Sequence, residues 1–118
     1  MKKLFLSFLL TISLACVTLA GGDGWSRAGT HQTNNTTWTP VSSTCNSPVI
    51  FMNVSNAGTS WIITVQTKES TPRILYKATA AVGNFQILNT VVPIELTNGV
   101  DFTFSGTAGV ADFFFVYK

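Results

Sequence analysis

From Pro48 to the C-terminus the chain is built of short β-branched and aromatic runs closed by Gly, Pro, Asn or Ser, and no stretch repeats apolar residues at helical spacing over three turns. Such a chain can bury its side chains by pairing strands antiparallel. Strands are expected at residues 49–54, 61–68, 73–78, 85–88, 91–96, 100–105 and 111–117. Trp61, Ile63 and Val65 alternate with Ile62, Thr64 and Gln66, so one face of that strand belongs to a core. Asn56-Ala57-Gly58 and Ser70-Thr71-Pro72 are turn formers, the first tolerating left-handed backbone and the second fixing φ at proline. About seven short strands at this spacing predict an all-β fold, a small antiparallel β-sandwich of jelly-roll or immunoglobulin-like topology.

One hairpin can be argued to its register. A two-residue Asn98-Gly99 loop would set Leu96 opposite Asp101 and Glu95 opposite Phe102, mixing the faces. A loop of Thr97, Asn98 and Gly99, with Gly99 left-handed, pairs Leu96 with Val100 and Ile94 with Phe102. It also sets Glu95 across from Asp101.

Ahead of the sandwich, assigned to residues 48–118, lie two segments of different character. Residues 21–47 are rich in Gly, Ser, Thr and Asn and are expected to be a polar irregular arm, with one short strand near residues 36–41. Residues 1–20 have the form of a signal peptide: Lys2 and Lys3, an apolar run from Leu4 to Leu19, and Thr18-Leu19-Ala20 as the cleavage site before Gly21. Two rivals fit less well. The apolar run of about 16 residues is short against the roughly 20 needed to span a bilayer, so no permanent membrane span is expected. As a lipoprotein site, Ser13-Leu14-Ala15-Cys16 has the wrong residues before its cysteine. The protein is therefore expected to be exported to a periplasmic, extracellular or cell-surface location.

Cleavage after Ala20 would remove Lys2 and Lys3, leaving five cations (Arg27, Lys68, Arg73, Lys77, Lys118) against five anions (Asp23, Glu69, Glu95, Asp101, Asp112). A neutral surface with scattered charge lacks the basic stripe that phosphate backbones require, so no nucleic acid is expected. Cys16 would leave with the leader, and Cys45 is then either a small buried residue or an intermolecular thiol, with burial favoured.

Nothing in the chain assembles a catalytic, cofactor or metal site, and no enzyme is expected. Glu95 and Asp101 could begin a weak Ca²⁺ site or an acid/base pair, but calcium wants several more oxygens, and the better reading is two solvated carboxylates. His31 is the only histidine, with no nucleophile or second imidazole beside it, so neither zinc nor a triad can form. Three tryptophans remain. Trp61 belongs to the core by its alternation, whereas Trp25 and Trp38 either cover the sandwich, contact another subunit or offer stacking platforms to a sugar. In the last strand Phe113, Phe115 and Tyr117 point one way, and Phe114 and Val116 the other. Both faces are apolar, so the arm or a partner chain is expected over the outer one.

The run Val92-Pro93-Ile94-Glu95-Leu96-Thr97-Asn98-Gly99-Val100, followed by Ser105-Gly106-Thr107-Ala108-Gly109 and an aromatic final strand, gives residues 49–118 a texture that resembles small β-sandwich proteins of phage particles. The terminal strand, with its penultimate Tyr117, is also similar to that of chaperone-assembled pilins. The signal peptide departs from the first resemblance and the lone Cys45 from the second. Both imply a structural subunit presented outside the cytoplasm, and neither carries functional residues. The expectation is thus a non-catalytic structural or interaction subunit of an extracellular or surface assembly, touching itself or another surface protein through residues 113–117. The alternative is a secreted carbohydrate-binding module that stacks glycan on Trp25 and Trp38.

Overall fold

The computed structural model describes residues 24–89 and 94–118. The expected signal peptide lies outside them, as does the first half, 91–93, of the strand expected at 91–96. In chain order the strands are β1 (Ser26–Gln32), β2 (Trp38–Val41), β3 (Cys45–Asn46), β4 (Val49–Asn56), β5 (Thr59–Thr67), β6 (Ile74–Thr79), β7 (Gly83–Asn89), β8 (Glu95–Leu96), β9 (Val100–Thr107) and β10 (Val110–Tyr117). The expected strands at 49–54, 61–68, 73–78, 85–88, 100–105 and 111–117 are β4, β5, β6, β7, β9 and β10, to within two residues at either end.

The pairing is antiparallel and forms two four-stranded sheets, β1-β10-β4-β7 and β2-β9-β5-β6, with β3 and β8 as a separate two-stranded ribbon. The first strand lies beside the last, and the second beside the one before the last. That rolled-up nesting is jelly-roll topology, which decides between the two sandwich types expected.

The segment expected to be an irregular arm supplies strands instead. β2 falls where one short strand is expected, but β1 lies in sequence that carries no large apolar residue. Backbone pairing with β10 makes it a strand, in register from Ser26 opposite Tyr117 to Gln32 opposite Ala111. An edge strand needs hydrogen-bonding groups on one side only, and polar side chains suit it. The arm therefore extends the sheet alongside β10 and does not cover its outer face.

The hairpin expected around residues 97–99 is not formed. Leu96 pairs with Cys45 and Glu95 with Asn46, while Val100 pairs with Val41 and Thr67, so the chain crosses from the ribbon into a sheet. Glu95 and Asp101 are thereby kept off each other's register positions: Asp101 lies opposite Gln66 and accepts a hydrogen bond from the Thr39 hydroxyl. Gly99 does take the expected left-handed conformation, φ +89°, and a Cβ there would run into the Val41 carbonyl.

The core lies between the sheets. Ile50, Met52, Val54, Ala111, Phe113 and Phe115 face it from one side, and Trp61, Ile63, Val65, Val100, Phe102 and Phe104 from the other. Phe102 meets Phe113 edge-on at 5.4 Å between ring centroids, and Trp61 stacks on Phe104 at 5.5 Å. Such pairs add about 0.5–1.5 kcal/mol each beyond the burial of their area. The polar segment after β1 closes one end by its amides. Asn35 accepts the Trp61 indole N–H at 3.0 Å and donates to the Gly106 carbonyl at 2.7 Å. Buried Gln32 donates to the carbonyls of Asn34 and Thr36. At the other end Asn46 and Lys118 exchange both backbone hydrogen bonds, and Cys45 beneath them is a buried free thiol, as favoured from sequence.

Candidate functional site

The described residues hold no group of three or more His, Cys, Asp or Glu side chains that could bind a metal, and no helix long and apolar enough to cross a membrane. What stands out chemically is the outer face of the β1-β10-β4-β7 sheet. In β10 the inward positions Ala111, Phe113 and Phe115 are fully buried, and Asp112, Phe114 and Val116 alternate to the outside. In β4 Ile50, Met52 and Val54 point inward and Val49, Phe51 and Asn53 outward. Cross-strand partners share a face, so the register lays the outer surface out in rows.

The central row runs Gly29, Phe114, Phe51, Gln86 across the four strands. Phe114 is 55% exposed and Phe51 44%. Gly29 lies beside the Phe114 ring, where a Cβ would make ordinary contact at 3.5 Å. One flanking row is His31, Asp112, Asn53, Asn84; the other runs from Arg27 through Val116 and Val49 to Asn89. His31 Nδ1 lies 2.6 Å from the Asp112 carboxylate, so these two side chains are partnered within the row. Phe51, Phe114, Asn53, Asn84 and Gln86 line a depression of about 290 Å³ at the β7 edge, where Met52 and the 39% exposed Phe85, a register pair on the opposite face, also border it. The result is an apolar ridge with margins of amides and the hydrogen-bonded His31 and Asp112.

The residues singled out from sequence separate on this scaffold. Phe113 and Phe115 are core residues at 0% exposure and cannot form a contact surface. Tyr117 is half-buried, its ring 5.4 Å from that of Phe115. Phe114 and half-buried Val116 do face outward. Trp38 packs 4.9 Å from Phe102 and also near Phe113, so it covers the sandwich and offers no free platform. Half-buried Trp25 has the Lys118 ammonium 4.8 Å over its ring, a position already taken by a cation. His31 is solvent-exposed and sits on a strand against Asp112, where an irregular arm was expected. Phe51 and Phe85 were not singled out from sequence. The signal for Phe51 was a third apolar residue between Ile50 and Met52, on a strand where one face was already accounted for.

No protein-family model and no curated protein matches the chain. Among solved structures it is similar to the core of Drosophila NLP, described in terms of pentamer formation and histone binding. The two are 14% identical over 79% of this chain and 95% of that one, with a TM-score of 0.45. The expectation of a subunit of an extracellular or surface assembly, with carbohydrate binding as its alternative, finds no support in this comparison and is set aside. A likeness of this degree transfers no partner and no stoichiometry to this chain.

Proposed function

We propose that this protein is a non-catalytic, self-associating interaction domain that buries the outer face of its β1-β10-β4-β7 sheet against protein. The observation that carries the reading is the pairing of Phe114 with Phe51 at the centre of that face, both substantially exposed on a sheet whose other face is packed. Fully burying a phenylalanine contributes about 1.5–3 kcal/mol, and these two retain roughly half of that for a partner. Rigid strands hold both rings, so little ordering entropy opposes association. Aromatic residues at the centre with polar groups around them are the usual anatomy of a protein interface.

The test is molar mass by light scattering across a concentration series, for the wild type and for Phe114→Lys. The wild type is expected to rise above the mass of one chain with concentration, and the folded variant to stay at it. A wild type that remains monomeric throughout would overturn the proposal.

A further inference from the structure

Resting on that reading, we propose that the occupant of the face is a second copy of this chain, related by a two-fold axis that runs parallel to the strands along the seam between β10 and β4. The pattern of the face itself selects this axis. A rotation about the seam exchanges β10 with β4 and β1 with β7. Phe114 then stands over Phe51 of the second copy, Val116 over its Val49, Asp112 over its Asn53 and His31 over its Asn84. Apolar groups meet apolar groups, and the Asp112 carboxylate and His31 imidazole meet amides that can hydrogen-bond them. The other face-to-face two-fold, running across the strands through the central row, would set Val116 on Asp112 and Arg27 on His31. It buries a carboxylate against an isopropyl group and brings two basic side chains together.

Geometry agrees with the pattern. An axis along the strands keeps the two sets of strands aligned, the ordinary way for sheets to pack face to face. Four strands at about 4.8 Å spacing and about seven residues at 3.3 Å each give roughly 19 by 23 Å of sheet per copy. Allowing for side-chain relief, the pair buries on the order of 1,000 Å², the low end for specific interfaces. The dimer is therefore expected to exchange rapidly with monomer, at a dissociation constant of about micromolar or weaker.

A mixing experiment isolates the axis. Phe114→Lys and Phe51→Glu are each expected to be monomeric, because both of their self-contacts set a charge on a phenylalanine. Mixed in equal amounts they can form a heterodimer with one Lys–Glu contact and one intact Phe–Phe contact, and sedimentation should show dimer restored. Under the other axis position 114 meets 114 and position 51 meets 51, so mixing restores nothing. Circular dichroism melts of both variants establish that they are folded. A wild type that associates, two folded monomeric variants and no recovery on mixing would overturn the strand-parallel axis while leaving the interaction face standing. A monomeric wild type removes both.

Discussion

Phe114 of β10 lies directly opposite Phe51 of β4, and both rings face solvent although the residues on either side of each in β10 and β4 include the most buried of the fold. The same strand thus divides its phenylalanines between two jobs. Phe113→Ala should cost about 3–5 kcal/mol by opening a cavity among Phe102, Phe104 and Trp38. Phe114→Lys should cost the monomer far less, about 1 kcal/mol or under, because roughly half of the ring is already exposed and the lysine stem keeps part of the contact. Urea unfolding of the two variants side by side checks this: equal losses would mean that Phe114 belongs to the monomer's core.

Asn35 serves the core from outside it. Asn35→Ala leaves the Trp61 indole N–H without its acceptor, since Trp61 itself is fully buried. The expected loss is about 1–3 kcal/mol, the cost of a buried donor without a partner. Asn35→Asp keeps the acceptor but loses the donor to Gly106, so it should recover part of the deficit; a variant series flat within about 0.5 kcal/mol would contradict the role assigned to this amide.

At Gly99 the backbone is left-handed and the Val41 carbonyl occupies the space of a Cβ. Gly99→Ala combines an unfavourable φ with a clash against backbone that cannot rotate away. A loss of about 2 kcal/mol or more is expected, read as a lowered midpoint in thermal or urea unfolding. Free tolerance of alanine there would mean that the crossing from β8 into β9 has another path.

Burial pushes the Cys45 thiol above its ordinary value of 9.0. The unfolded chain ionises at lower pH than the native one, so the contribution is fully present below that value and is lost as pH rises above it. Unfolding measured at pH 7, 9 and 10 should show a steeper alkaline decline for the wild type than for Cys45→Ala. In the native protein the thiol should react with iodoacetamide only at the rate of opening.

Much of the fold was legible because strand alternation is local. Ile63 and Val65 announce a buried face within a few residues, and β5 and β10 emerge where that pattern lies. The sites were less legible for the same reason. Phe113, Phe114 and Phe115 are alike as residues, and which of them faced inward followed only once β10 had neighbours on both sides. Trp38 reads as a polar-segment aromatic, yet it packs against Phe102 of β9, its register partner across the sheet.

By itself the sequence determined an all-β sandwich, the positions of most of its strands and the burial of Trp61, and it favoured a buried Cys45 and a left-handed Gly99, because side-chain alternation and glycine stereochemistry act over a few neighbouring residues. Tertiary structure alone decided that the polar stretch from Ser26 to Gln32 is a sheet strand, that Glu95 and Asp101 lie in different sheets, and that Phe51 meets Phe114 on an open face. Each of these depends on backbone hydrogen bonds between segments far apart in the chain, whose register no local pattern specifies.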